Sequence, residues 1–498
     1  MALGFAIATA GPGEKRRAIL ARLVILGLTL GTLSATNAWD VPVYAALGIA
    51  SIWLATSHIE PLARRLVSFL VGALGLGLAA YALFLPFHRH FVALFGSLAP
   101  VHDPTSLSDW LVHVGGLAAI VAAGLIAFQL PARLPAGLDW VRAGSLLASL
   151  VVVWFLAVVA KMIAGVPILP AGLIGSFVIA AFGIAAAWAS SIRHGVPPGE
   201  AWVDRLPVLF GAILAIMAII QGRYVLAIAV CGLTLAATGF LCGSTPARRF
   251  LALLSAAAFG VMAGVEVVVV ADDLLGGPAY RMNTVFKFYN QVWILLALAA
   301  AVLVATGTAG RPFEFDGSRI RRGWWSLAVS LASVVAAASL LYPVFAVSPR
   351  LHQRFTPELS SGSLNALDWM NTATLPSQDF PAGFLTFKDD RAIIDWFNTE
   401  VPGTPMIAEA TIGPYRCDGS RISIATGLPS ILGWERHESQ QRYLSSLEGR
   451  AADVDLLYRS LSAEEKLDII RKYGVEYIVV GDLERSYPTS NNECTATN

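Results

Sequence analysis

The sequence predicts an α-helical polytopic membrane protein of about eleven transmembrane helices, followed by a C-terminal extracytoplasmic α/β domain. Three observations predict it. Of 498 residues, 56% are hydrophobic and only 14% are charged, and mean hydropathy is +0.64. A soluble domain carries roughly 25% charged residues. Apolar runs of spanning length recur up to residue 346 and then stop, and charges become frequent. The expected division is 1–347 for the multi-span helical domain and 348–498 for the extracytoplasmic domain. A net charge of +1 excludes a nucleic-acid function built on global charge. The expected partner is the lipid bilayer.

The opening MALGFAIATAGPGEKRR is too short and too broken by glycine for a signal peptide. Lys15, Arg16, Arg17 and Arg22 precede a long apolar run, which reads as an uncleaved anchor with its N-terminus inside. Spans are expected near 18–36, 42–57, 66–86, 113–130, 143–163, 168–190, 206–221, 224–242, 250–271, 287–306 and 324–346. Alternate loops hold Arg64/Arg65, Arg133/Arg142, Arg193/Arg205, Arg248/Arg249 and Arg311/Arg319/Arg321/Arg322. The opposite set holds only Arg89, Arg223, Arg281 and Lys287, with Lys161 near a helix end. The positive-inside rule assigns the first set to the cytoplasm. The chain then reads as a multi-pass cell-membrane protein with a cytoplasmic N-terminus, and an odd number of spans leaves the C-terminal domain extracytoplasmic.

In that domain DDRAIIDWFNTE reads as an amphipathic helix capped by Asp389 or Asp390, and VPGTPMIAEA as a turn and a strand. RISIATGLPSILGW alternates and breaks at Gly427 and Pro429. ERHESQQRYLSSLEGR and SAEEKLDIIRKYG read as helices, the second ending at Gly474, and VEYIVVGD as a strand. Of four cysteines, Cys231 and Cys242 read as packing residues. Cys417 and Cys494 show no metal-ligand spacing; an oxidising compartment would allow a disulfide between them.

Polar groups gather in the outer loops. In ADDLLGGPAYRMNTVFKFYNQVW, Arg281, Asn283 and Lys287 are candidate ligands of a lipid headgroup phosphate. Asp272 and Asp273 are candidates to orient them, to bind a divalent cation or to act as a base. The same residues also read as interfacial anchors, with Arg281 and Lys287 snorkelling and Tyr289 in the aromatic belt. Asn290 and Gln291 lie deeper, where an amide needs a partner. In NAWDVPVY, Asp40 is a candidate general base or metal ligand, or equally a helix N-cap beside an aromatic anchor. Glu266 sits in an apolar run and must meet a partner or a polar cavity. His88, His90, His102 and His113 match no zinc spacing. Trp434, His437, Glu438 and Arg442 form the densest polar-aromatic cluster of the C-terminal domain and suit sugar contact, or else a buried tryptophan beside a solvated pair. No GxSxG, P-loop, paired CxxC or HExxH occurs, which argues against familiar hydrolase, ATPase and metalloprotease chemistry.

NAWDVPVY, RMNTVFKFYNQVW and RISIATGLPSILGWERHESQQR, with Leu367–Met370 (LDWM), DDRAIIDWFNTEVPGTPMIAEA and KYGVEYIVVGDLERSYP, resemble the bacterial and archaeal YYY membrane proteins over nearly the whole chain. That family's layout is similar to the integral membrane GT-C glycosyltransferases, which transfer sugars from polyprenyl-phosphate carriers at the outer face. The resemblance implies a GT-C-like fold, a polyprenyl-phosphate-linked donor and an envelope protein or glycan acceptor. It also implies further N-terminal spans, with a tyrosine-rich stretch and a Gly-Asp-Leu-His-Pro-His-like motif, which this chain does not show. The acidic loop of a GT-C catalyst would lie there, so Asp40 does not inherit that role. The expectation is a glycosyltransferase-like protein with Asp40, Asp272 and Asp273 as acids and Arg281 and Lys287 at the phosphate, the outer domain selecting the acceptor. Alternatives are a transporter or flippase and a non-catalytic envelope scaffold.

Overall fold

The computed structural model describes residues 1–11, 13–91, 97–129, 206–242, 245–272, 274–308, 319–354, 364–376, 384–411, 419–439 and 447–486. The chain divides into two compact units, Met1–Ser339 and Leu340–Asn498.

The first unit is a helical bundle. Its helices are α1 (Ala2–Ala8), α2 (Arg16–Thr36), α3 (Val41–Ala55), α4 (Leu62–Ala82), α5 (Leu85–His90), α6 (Leu107–Trp110), α7 (Gly116–Gln129), α8 (Leu206–Ile220), α9 (Tyr224–Cys242), α10 (Pro246–Val265), α11 (Met282–Thr308) and α12 (Arg319–Phe345). Among the described residues, seven helical segments are long and apolar enough to cross a membrane, and α8 and α9 carry shorter apolar stretches. The spans expected at 143–163 and 168–190 lie outside the described residues, as do Lys161, Arg133, Arg142, Arg193, Arg205 and Arg311. Two of the expected boundaries that move bear on the site. The run expected to be helical to 271 stops at Val265, because the β-branched residues after Glu266 pair as a strand. The span expected from 287 begins at Met282, so Met282 and Asn283 enter the helix and only Arg281 of the polar RMN segment precedes it.

Small residues let these helices approach closely. A Cβ on Gly232 of α9 would lie 2.4 Å from the Phe259 ring of α10, and one on Gly124 of α7 would lie 2.9 Å from Leu303 of α11. The core between them is filled by Phe259, Met262, Leu295, Leu296 and Leu303, all fully buried. Along α4, in contrast, Leu70, Leu74 and Leu78 are more than half exposed. A lipid-solvated surface tolerates such a stripe; an aqueous one would not. A short antiparallel ribbon, β1 (Leu98–Pro100) with β2 (Val268–Val270), pairs Leu98 with Val270 and Pro100 with Val268.

The second unit mixes helices with little sheet. The ribbon β3 (Thr374–Pro376) and β4 (Phe384–Thr386) is antiparallel, while β5 (Ile407–Ala408) and β6 (Tyr477–Ile478) pair in parallel, with Ser430 bridging to Ile407. Around them lie α13 (Val347–Arg354), α14 (Lys388–Glu400), α15 (Arg421–Thr426), α16 (Glu435–Ser439), α17 (Arg450–Arg459), α18 (Ala463–Tyr473) and α19 (Asp482–Ser486). The alternating RISIAT stretch is helical, not extended. Glu409 accepts hydrogen bonds from the Ile422 and Ser423 amides at 2.8 and 3.0 Å and so caps α15, and Gly427 ends it at φ +75°. Gly474 closes α18 at φ +64° in the same way.

Asp390 does not cap α14. It is buried in the first turn and accepts a hydrogen bond from Arg421 at 2.6 Å. Arg421 also grips Glu484 with two bonds, at 2.9 and 2.8 Å, and the Ala410 and Gly481 amides complete that carboxylate at 3.0 Å each. Burial pushes Asp390 and Glu409 above the usual carboxylate range. For Glu484 burial acts in the same sense, but Arg421 and the two amides outweigh it and hold this carboxyl below its ordinary value. The signs therefore oppose. Stability from Glu484 is present above pH 4.5, its ordinary value, and is lost as pH falls through the depressed one. Asp390 and Glu409 contribute stability on the acid side, lost as pH rises through their raised values. Glu484→Gln is thus expected to lower the melting temperature of the full chain at neutral pH. In thermal melts, its deficit relative to wild type should shrink between about pH 7 and about pH 3.

Candidate functional site

A cluster of charged and polar residues lies at one end of the bundle, where α10 finishes, α8 turns into α9, and α3, α6 and α11 begin. The turn into α11 is set by Asp272. One carboxylate oxygen accepts from the Leu274 amide at 3.0 Å and the other from the Asn283 side chain at 2.9 Å. Asp272 and Asn283 thereby fasten the turn to the first turn of the helix, the orienting contact among the roles expected of Asp272. Asp273 lies outside the described residues.

Arg281, just before α11, meets Glu266, just after α10. Glu266 is fully buried, and its Oε1 accepts from Arg281 Nη2 at 2.8 Å. Thr105 closes the pair, donating its hydroxyl to Glu266 Oε1 and its amide to Oε2 at 3.1 Å. Arg281 further donates to the carbonyls of Asp103 and Val265 and to the Thr105 hydroxyl. Arg223, in the α8–α9 turn, donates to the carbonyls of Glu266 and Val101 at 2.7 Å each. The Tyr280 hydroxyl accepts from the His102 and Asp103 amides at 2.9 Å each. Segments 101–105, 223, 265–266 and 280–281 are thus tied into one latch. Both terminal nitrogens of the Arg281 guanidinium are held inside the protein, while its Nε is buried without a hydrogen-bond partner.

A second face of α11 meets Asp40. Lys287 and Gln291 are four residues apart and project together. Gln291 Nε2 donates to Asp40 Oδ1 at 2.5 Å, and the Asn37 side chain donates to the same oxygen at 3.1 Å. Asp40 does not act as a side-chain cap for α3. Lys287 lies close enough for its charge to act on Asp40, and its ammonium sits 5.6 Å from the centre of the Trp39 ring. Trp39 packs edge-on against Phe288 at 6.0 Å. Asn290, expected to need a buried partner, is exposed. Tyr289, expected in an aromatic belt, is buried, with its ring 6.0 Å from that of His113 and its hydroxyl in the field of Glu266 and Arg281.

The histidines do not converge. His88 stacks on Tyr81 at 4.8 Å, and among the described residues no group of three or more His, Cys, Asp and Glu side chains is placed to hold a metal ion. In the second unit, Trp434 Nε1 donates to the Gly419 carbonyl at 3.0 Å, and the His437 ring stands edge-on to Trp434 at 6.2 Å. Glu438 folds back over Gly433, where a Cβ would lie 2.8 Å from its Oε1. Arg442, Cys417 and Cys494 lie outside the described residues. Sequence reasoning missed Thr105 and Arg223. Arg223 carried a signal, being a lone cation in an otherwise cation-poor set of loops; Thr105 carried none.

A family model described as an uncharacterized membrane protein, DUF2298, matches residues 1–296, more than half of the chain. The chain belongs to the DUF2298 family. It is a membrane protein, and the matched stretch contains the latch and the Asp40 face. No curated protein and no solved structure matches this DUF2298 protein.

Removing one member of a buried ion pair costs about 3–5 kcal/mol, because the survivor keeps its desolvation penalty. Glu266→Gln and Arg281→Met should each lower the melting temperature of this DUF2298 protein in detergent. The double variant should melt above at least one single variant. Additive losses in the double would contradict the latch.

Proposed function

We propose that the Asp40 face binds the phosphate-linked head of a polyprenyl carrier lipid and transfers its sugar to an acceptor hydroxyl on the extracytoplasmic side. The observation that carries this reading is the convergence of Asp40 with Lys287 and Gln291, from helices whose contacting residues lie 251 positions apart. An acid and a cation beside one tryptophan, at the end of a bilayer-length bundle, suit a ligand with an anionic phosphate, a sugar and an apolar tail. The resemblance to the YYY proteins and their GT-C-like layout supports the same chemistry.

In the step proposed, Asp40 Oδ2 takes the proton of the acceptor hydroxyl. The acceptor oxygen bonds to the anomeric carbon as that carbon's bond to the phosphate oxygen breaks. The electron pair leaves on the phosphate, whose charge Lys287 receives. Arg281 supports the site from within, since its donors hold Glu266. Transport is less well supported, because among the described residues the charged groups of this cluster lie at the bundle end and not on broken helices at mid-depth; Pro167 and Pro170, which could break a helix, lie outside the described residues.

Asp40→Asn should reduce sugar transfer from a radiolabelled polyprenyl-phosphate sugar by about 10²–10⁴-fold, the usual worth of a general base. Lys287→Met should chiefly raise KM for the donor. Turnover unchanged in both variants would exclude the reading, and concentrative solute uptake into proteoliposomes would replace it with transport.

The orientation is part of the proposal. Arg16, Arg64, Arg65, Arg248 and Arg249 stand at the helix ends opposite Asp40 and Arg281, as the positive-inside rule requires if Asp40 faces outward. In a chain with Cys417 and Cys494 replaced by serine, Ala279→Cys should react with an impermeant maleimide on whole cells. Ser57→Cys, in the α3–α4 turn, should react only after permeabilisation. The reverse pattern would refute the orientation.

A further inference from the structure

Gln291 is 3% exposed, and its two ends are treated differently. Its amide nitrogen donates to Asp40, while its carbonyl oxygen Oε1 is buried without a partner. A buried acceptor left unpaired is destabilising, a penalty that an apolar side chain of similar size would avoid. The amide is therefore retained at a cost.

The surroundings restrict what can satisfy Oε1. It accepts and cannot donate. An anion there would face both Oε1 and the Asp40 carboxylate. A cation would face the Lys287 ammonium, whose charge already reaches Asp40. A neutral O–H donor is repelled by neither. Asp40 Oδ1 is taken by the Asn37 and Gln291 amides, so its Oδ2 faces the ligand free of hydrogen bonds from the described residues.

We infer that Gln291 is a specificity-determining residue whose Oε1 accepts a hydrogen bond from a hydroxyl of the donor's sugar, so that the site tells a glycosylated carrier phosphate from a bare one. This rests on the carrier-lipid reading above. It goes beyond that reading in assigning sugar recognition to the membrane helix itself. One side chain then performs two tasks: its nitrogen aims the carboxylate and its oxygen reads the sugar beside it.

The test uses the full chain in lipid nanodiscs with two probes, farnesyl phosphate and farnesyl phosphoglucose, titrated by calorimetry. Wild type should bind the glucose-bearing probe at least ~10-fold more tightly, the equivalent of one satisfied buried hydrogen bond. Gln291→Met should erase that preference, so that its affinities for the two probes agree within about two-fold. Equal affinity of wild type for both probes overturns the inference but leaves the phosphate site standing, as does a preference that survives in Gln291→Met. Binding of neither probe overturns both. Should Gln291→Met not fold, wild type alone decides with deoxyglucose analogues lacking one hydroxyl at a time. One analogue should lose the ~10-fold advantage, and uniform affinity across the series overturns the inference.

Discussion

Glu266 is a fully buried carboxylate at the end of an apolar helix, and it can exist there only because Arg281 and Thr105 come to it. In a low-dielectric setting an isolated carboxylate would carry a desolvation cost of several kcal/mol. Meeting that cost draws in residues from four segments. The 101–105 loop bends so that Thr105 can donate twice. The α8–α9 turn contributes Arg223 to the Glu266 carbonyl. The chain returning from β2 is held so that Arg281 reaches back across the end of α10. Everything at this end of the bundle follows from that closure, including where α11 starts.

The start of α11 decides what its other face can do. Once Arg281 is fixed, helical geometry carries Lys287 and Gln291 round to the side where the α2–α3 turn presents Asn37, Trp39 and Asp40. The two faces have opposite characters. On the latch face each carboxylate oxygen of Glu266 and both terminal nitrogens of Arg281 are committed, and only Arg281 Nε and the Tyr289 hydroxyl are buried there without a partner among the described residues. The Asp40 face keeps one carboxylate oxygen, one amide oxygen and an ammonium out of such a closed set. Well-paired polar clusters rigidify, and a buried group left unpaired calls for an explanation. That contrast, more than the number of charges, separates the structural half of this helix from the half suited to chemistry.

Much of this was legible in the sequence, and for physical reasons. Helix positions followed from apolar run length, because a bilayer and a bundle core both demand it. Glu266 announced itself as a carboxylate in an apolar run, and Gln291 as an amide deep in a helix; each had to find a partner. What could not be read was the pairing. Arg281 and Lys287 look alike in RMNTVFKFYNQVW, six residues apart and both basic. Yet one is consumed by an ion pair and the other faces an acid from the far end of the chain. Helical phase would separate them only if the position of Glu266 in space were known. Thr105 was invisible for the same reason, since a threonine in a polar loop has no distinguishing pattern until a buried carboxylate is set beside it.

The second unit follows the same rule with a different result. Asp390, Arg421 and Glu484 come from three separated segments and lie beyond the ends of the parallel strands β5 and β6, a position that often holds a ligand in α/β proteins. Here Glu484 receives two bonds from Arg421 and two from backbone amides, so both of its oxygens are occupied. Glu409, beside them, caps α15 with both of its oxygens. With its carboxylates so occupied this cluster holds a helix and two strand ends in register, although Arg421 Nε is buried without a partner. Buried charge in this protein is thus a poor guide to function by itself, and so is a lone unanswered atom: Arg281 Nε and Arg421 Nε lack partners inside clusters that are otherwise closed, whereas Gln291 Oε1 lies beside a carboxylate oxygen and an ammonium that no such cluster closes.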